Sequence, residues 1–249
     1  MNAVVIIPAR MAATRLPGKP LIDLCGKPMI QWVYERASKA TGVSRVIVAT
    51  CDREIINAVE SFGGDAIMTS TAHRSGTDRL AEAARDLDAD VIVNVQGDEP
   101  LIDPNSIERA LEPFSTDQNV TMTSLMAPID RESAKDPNLV KVVVTIDNYA
   151  LYFSRSPIPY ERKAANAVSD QQLAPIYGHV GLYAYTKNFL LKFASLEQTP
   201  LEKSESLEQL RVLEHSYKIK MVEVSDRPLG VDTWGDIDRV REIVDNYKL

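Results

Sequence analysis

The chain of 249 residues is 45% hydrophobic and 25% charged, with 11 glycines and 14 prolines, proportions that exclude disordered, collagen-like and coiled-coil classes. Lysine and arginine total 28 against 35 aspartates and glutamates, a formal net charge of −7, which opposes nonspecific attraction to nucleic acid or anionic lipid. Apolar runs such as Ala3–Ile7 and Val91–Val95 fall far short of the roughly 18 residues of a membrane span, so no membrane insertion is expected.

The first residues enter strand-like sequence directly, with no basic region, apolar stretch and cleavage site in series, which predicts a cytoplasmic protein. Cys25 and Cys51 lack C-x-x-C spacing and read as core or loop thiols. Strand-like runs Ala3–Pro8, Arg45–Thr50, Ala66–Thr69 and Val91–Gln96 alternate with helical patterns Pro28–Lys39, Asp52–Ser61 and Gly76–Leu87. That order predicts βαβ units and a three-layer α/β fold. Asp103 as N-cap and Pro104 behind it open a fourth helix, expected to end by Pro113.

The second half is more mixed. Strands are expected at Val120–Ala127, Val140–Ile146, Ala150–Ser154, Val180–Thr186 and Lys218–Val224, some of them antiparallel. Helices are expected at Lys187–Ala194, Ser204–Glu214 and from Thr233 onward, where Thr233 and Asp236 approximate a capping box. Trp234, Ile237, Val240, Val244 and Tyr247 line one face of that last helix, which should pack on the sheet. Between Ser156 and Gly178 the composition reads as a long excursion of the kind often used for function or assembly.

The first strand runs into a loop, Ala9–Pro20, of small residues, two prolines, one glycine and the cations Arg10, Arg15 and Lys19. Residues 10–27, which also include Lys27, hold a single acid, Asp23, so the loop is a local cationic patch in an acidic chain. The carboxyl end of a parallel strand is where open α/β sheets bind ligands. Small residues let backbone amides approach phosphate, and Arg and Lys neutralise charge that builds during phosphoryl transfer. The pattern is neither a P-loop nor a dinucleotide fingerprint. By itself it fits a nucleotide loop and an exposed connector equally well.

The stretch P-A-R-x-x-x-x-R-L-P-G-K-P resembles the signature of the sugar-nucleotide cytidylyltransferases. Further segments carry the likeness from Val5 to about Arg241, among them Gly26–Ile30, Ser75–Arg79, Asn94–Pro100, Ala150–Arg155, His179–Gly181, Leu207–Arg211 and Gly230–Thr233. The resemblance implies the nucleotide-diphospho-sugar transferase fold, with a mostly parallel central sheet and a small antiparallel lobe. It implies one nucleotidyltransferase domain over residues 1–249, in which roughly residues 150–200 bind the sugar and form a homodimer. The implied substrates are CTP and an ulosonic acid, 3-deoxy-manno-octulosonate (Kdo), and the implied cofactor is Mg²⁺.

Residue by residue, the resemblance assigns Ala9, Arg10, Arg15, Lys19, Arg74, Ser75, Gly76 and Asp98 to the nucleotide. It assigns Gln96, Arg155, His179, Tyr183, Glu208 and Gln209 to the sugar, Asp98 and Asp232 to the metal, and Arg10, Lys19, Asp98 and Asp232 to catalysis. Local chemistry offers a plain alternative for several of these. Asp98 could cap a strand-end turn, Asp232 could answer a helix dipole, Ser75 or Thr77 could cap a helix, His179 could be a satisfied core residue, and Glu208 could pair with Arg211 along a helix. Arg74, Gly178 and Arg227-Pro228-Leu229 depart from the family pattern. They leave open an amino-substituted Kdo or another ulosonic acid as acceptor. Separate alternatives are an acylneuraminate-type cytidylyltransferase, a uridylyl- or guanylyltransferase, and a catalytically silent nucleotide-binding module, the last weakened by the presence of Arg10, Lys19, Asp98 and Asp232.

Overall fold

A computed structural model describes residues 1–12, 16–73, 75–161 and 174–247. The strands are β1 (Ala3–Ala9), β2 (Asp23–Leu24), β3 (Lys27–Pro28), β4 (Val43–Thr50), β5 (Asp65–Met68), β6 (Val91–Asn94), β7 (Met122–Ile129), β8 (Lys141–Val144), β9 (Ala150–Ser154), β10 (Ile176–Thr186) and β11 (Lys220–Glu223). The helices are α1 (Met29–Ala37), α2 (Arg53–Ser61), α3 (Gly76–Ala84), α4 (Pro104–Thr116), α5 (Lys187–Ser195), α6 (Pro200–Glu205), α7 (Gln209–Glu214) and α8 (Trp234–Tyr247).

Nine strands form one sheet, whose main path is β11-β7-β10-β6-β1-β4-β5, with β8 joined to β10 and β9 to β8. Along that path the strands run parallel except β10, which is antiparallel to both β6 and β7. The start of β10 with β8 and β9 makes a small antiparallel extension. Residues 3–7 of β1 are buried on both faces, as a central parallel strand requires. Val5 and Ile7 pack with α1, α2 and α4 through Ile30, Val33, Ile55, Val59 and Ile107. Val4 and Ile6 pack on the opposite face with α3, α5 and α7 through Leu80, Ala84, Leu190, Phe193 and Leu210. The period-2 alternation of β1 therefore divides the two helical layers that make the fold three-layered.

Several boundaries differ from the sequence expectation. The fourth helix continues through Pro113 to Thr116, and the Asp117 N–H donates to the Pro113 carbonyl at 3.0 Å. A proline in a last turn removes one bond without breaking the helix. The single helix expected over Ser204–Glu214 is two helices, because Ser206 turns left-handed (φ 52°) and closes α6 on the Glu202 carbonyl. β10 begins four residues earlier than expected, and residues 162–173 of the expected excursion lie outside the described residues.

The paired strands β2 and β3 lie outside the elements expected from sequence. Cys25 (φ 54°) and Gly26 (φ 87°) form their two-residue turn, the geometry that suits a tight hairpin. The last helix, α8, packs on this region and not on the central sheet. Ile237, Val240 and Val244 join Leu16, Leu24, Met29, Trp32 and Val231 in a third core. Trp234, expected on that apolar face, is 63% exposed. The capping box at its start is present: the Thr233 hydroxyl accepts from the Asp236 N–H, and the Asp236 carboxylate accepts from the Thr233 N–H at 2.8 Å.

Candidate functional site

Two hydrogen bonds tether the described ends of the loop after β1 at the sheet's carboxyl edge. Asp52, just ahead of α2, accepts the Met11 N–H at 2.7 Å. Gly18, left-handed at φ 72°, donates to the Met11 carbonyl at 3.0 Å, so the loop is pinched shut at its base. Lys19 then opens a short 3₁₀ turn, and its ammonium donates to Asp98 Oδ2 at 2.7 Å and to Asp232 Oδ1 at 3.2 Å. The Lys19 side chain is 13% exposed, whereas Asp98 and Asp232 are 39% and 60% exposed, so the ammonium is sheltered while the carboxylates face solvent.

Three distant parts of the chain thus meet at one point, and the backbone explains why. Asp98 follows the end of β6, the strand beside β1. Gly97 lets that segment pass close: a Cβ there would stand 2.9 Å from the Pro8 carbonyl oxygen. Val231 donates its N–H to the Asp98 carbonyl at 2.9 Å, which delivers the next residue, Asp232, to the same edge. Since both carboxylate oxygens lie on one ammonium, their separation cannot exceed the sum of the two contact distances.

Pro8, Ala9, Arg10, Leu16, Lys19, Pro20, Gln96, Gly97, Asp98 and Asp232 line a cleft of about 320 Å³. An adjoining cleft of about 270 Å³ shares Arg10, Gln96 and Asp98 and is walled on its far side by His73, Ser75, Gly76 and Arg79. Ser75 caps α3 by accepting the Asp78 N–H at 3.1 Å, and Arg79 is buried on Thr69 and Cys51. The structure therefore gathers Ala9, Arg10, Lys19, Ser75, Gly76, Gln96, Asp98 and Asp232 around one continuous depression. Arg15 and Arg74 lie outside the described residues. Lys27, part of the same cationic stretch, points elsewhere, pairing with Glu35 at 2.7 Å and standing over Trp32.

Of the residues assigned to the sugar, Gln96 lines both clefts and the others stand outside them. Gln96 reaches from the cleft to the Gly181 carbonyl at 3.1 Å. His179 is buried, with Nε2 2.8 Å from the Ser124 hydroxyl and its ring against Phe153 and Tyr183. Burial, and secondarily the Arg227 charge, pushes its pKa down to about 3, so the ring is neutral at ordinary pH. Burial likewise raises the Tyr183 hydroxyl above its usual range. Arg155 donates to the carbonyls of Glu205 at 2.8 Å and Pro137 at 3.1 Å. Gln209 is buried at the start of α7.

Glu208 accepts from the Thr77 hydroxyl at 2.7 Å and from Arg211 at 3.4 Å. Burial raises its pKa, against the pull of Thr77 and Arg211. The expected Glu208–Arg211 pair exists, but Arg211 is held chiefly by buried Glu202, at 2.8 Å through Nε.

Asp52, Ser124, Thr77 and Glu99 also contribute to the site. Asp52 and Ser124 carry no motif. Thr77 stands in the Ser75–Arg79 segment that carries the family likeness, which gives no hint of its contact with Glu208. Glu99 follows Asp98 in the motif Asn94–Pro100. Burial beside Asp98 pushes the Glu99 carboxyl up to about 8, and its Oε2 has no hydrogen-bond partner.

Among the described residues no group of three or more histidines, cysteines or acids could hold a metal. Two carboxylates converging on one cation position nevertheless suit Mg²⁺, which takes oxygen ligands, commonly one or two carboxylates with phosphate oxygens and water. Asp98 and Asp232 fit that donor set.

Comparison with known proteins adds to this geometry. The cytidylyltransferase family pattern matches residues 4–219. The 3-deoxy-manno-octulosonate cytidylyltransferase of Trichlorobacter lovleyi is 53% identical over 247 residues, covering 97% of this chain and 98% of the relative. That of Aliivibrio fischeri is 49% identical over 249 residues, covering 98% and 99%. A solved structure of CMP:2-keto-3-deoxy-manno-octonic acid synthetase complexed with CTP aligns with a TM-score of 0.93 at 44% identity, over 99% of this chain and 100% of that one. The 4-diphosphocytidyl-2C-methyl-D-erythritol synthase of Anaerococcus prevotii, 13% identical with a TM-score of 0.65 over 98% of each chain, shares the fold. With the family pattern spanning most of the chain, and half-identical relatives matching it nearly end to end, the chain belongs to the cytidylyltransferase family.

Proposed function

We propose that this enzyme transfers CMP from CTP to Kdo, giving CMP-Kdo and pyrophosphate for lipopolysaccharide or capsule synthesis. The observation that carries the reading is the convergence of Lys19, Asp98 and Asp232, beside Arg10, in a cleft at the carboxyl edge of the sheet. The names of the half-identical relatives and the CTP complex support the same substrates.

In this reading the triphosphate lies along the loop after β1, where Arg10 and Lys19 meet its charge, and the base and ribose lie toward Ser75 and Gly76. The anomeric hydroxyl of the acceptor attacks the α-phosphorus in line, and the bond to pyrophosphate breaks. Positioning and charge stabilisation do most of the work. Asp98 and Asp232 would hold Mg²⁺, which supplies charge neutralisation between two anionic substrates. Gln96, Arg155, His179, Tyr183, Glu208 and Gln209 shape the acceptor side.

The chain acts as one nucleotidyltransferase domain, with residues of about 150–200 forming the sugar and dimer lobe. Exposed Ile146, Leu151 and Tyr160 on and beside the β8–β9 hairpin support a second copy of the chain as the partner there. No helix among the described residues is long and apolar enough to cross a membrane. A cytoplasmic location accords with a substrate drawn from the nucleotide pool. Pyrophosphate release, measured with CTP, UTP, ATP and GTP against Kdo and its amino-substituted analogue, tests the reading. Turnover confined to CTP with Kdo supports it, and no turnover with that pair overturns it.

A further inference from the structure

We propose that Thr77 is a positioning residue whose hydroxyl makes nucleotide and acceptor bind cooperatively, by joining the first turn of α3 to the carboxylate of Glu208. The two residues are 131 positions apart, and Thr77 Oγ1 donates to Glu208 Oε2 at 2.7 Å. Thr77 is 2% exposed and the Glu208 side chain 31%, so the Thr77 hydroxyl, sealed from water, depends on the carboxylate for a partner. Helix capping does not account for the hydroxyl, because Ser75 performs it.

On one side of the bond, Ser75 and Gly76 wall the cleft that Arg10 and Asp98 share. On the other, Glu208 immediately precedes buried Gln209, and its second oxygen is held by Arg211, itself fixed by Glu202. A ligand that orders Ser75–Thr77 therefore orders Glu208 as well, and the second ligand meets a seat already set. Such coupling is reciprocal and in proteins commonly amounts to about 5–150-fold in affinity.

The inference rests on the substrate reading above, and one set of measurements separates the two. Calorimetry on the full chain uses Kdo and a CTP analogue with a methylene bridge between the α- and β-phosphorus atoms. In the unaltered enzyme each should tighten the other by at least about fivefold, by the same factor in both directions. Thr77→Val should reduce the factor below about twofold while analogue affinity measured alone stays within about threefold, and Thr77→Ser should restore the factor. Where melting shows that valine is not accommodated, Thr77→Ala gives the same readout. Coupling that survives in Thr77→Val, or is absent from the unaltered enzyme, overturns the proposal. Failure of the unaltered enzyme to release pyrophosphate from CTP and Kdo overturns the substrate reading instead.

Discussion

Val231 donates its backbone N–H to the carbonyl oxygen of Asp98 at 2.9 Å, and this one bond brings together two carboxylates that the sequence separates by more than half its length. Because the bond is between main-chain atoms, it is indifferent to the side chains it positions. The Asp98 and Asp232 carboxylates can therefore be altered without loss of the arrangement.

Asp98→Asn and Asp232→Asn, which keep shape and remove charge, should each lose most activity with little change in melting temperature. A Mg²⁺ titration of pyrophosphate release checks this. Neither variant should recover fully at saturating metal, since a carboxylate ligand orients the ion as well as binding it. Full recovery would show that the carboxylate in question is not a ligand.

Arg10→Ala and Lys19→Ala should lower kcat by about 10²-fold or more, the scale seen when charge-stabilising donors are removed from a reacting centre. Arg10 is exposed and Lys19 contacts only partly exposed acids, so thermal melting should move little. A variant with near-normal kcat and a lowered melting temperature would make the loop structural.

Gly97→Ala tests the close approach of the two strand ends. The new methyl would meet the Pro8 carbonyl at 2.9 Å, and backbone cannot yield as a flexible side chain can. Overpacking of this kind costs about 1–3 kcal/mol, to be read from the denaturant midpoint, and activity should fall with it because Asp98 is the next residue.

His179 should leave a signature in acid. Its folded pKa, near 3, lies below the ordinary value of 6.5, so between these limits the unfolded chain binds the extra proton. Stability contributed here is present above pH 6.5 and is lost as pH falls toward 3, at up to about 1.4 kcal/mol per pH unit. Comparing stability against pH for the unaltered protein and His179→Gln should show that limb removed in the variant. Identical slopes would mean that the ring is solvated in the folded state.

The first half of the fold could be read from sequence because β1, β6 and the later part of β4 are buried on both faces and the helices carry one apolar stripe each. Residues 3–7 and 91–93 leave no other interpretation once the intervening helices are seen. The β2–β3 hairpin could not be read: strands of two residues have no period, and the Cys25 conformation is one that its residue type does not advertise. The break at Ser206 was hidden for the same reason. For α8 the stripe announced burial but not its partner, which proved to be Leu16, Leu24 and Trp32. At the site, Arg10 and Asp98 follow the ends of the neighbouring strands β1 and β6, so topology brings them near one another, and the loop after β1 carries Lys19 back to Asp98. Thr77 and Glu208 share no local pattern, and only tertiary packing joins them.

The third core has a consequence for how the protein comes into being. It joins residues from the first strand-loop unit, Leu16 through Trp32, to Ile237, Val240 and Val244 near the other end of the chain. Ribosomal synthesis delivers Lys19 early and its partner Asp232 late, so the central sheet can assemble while the cationic loop still lacks both the carboxylate and the helix that flank it. A nascent chain stalled before residue 232 would therefore resemble the finished protein in most of its architecture and yet be chemically incomplete. Competence arrives only once the chain beyond residue 231 has been made.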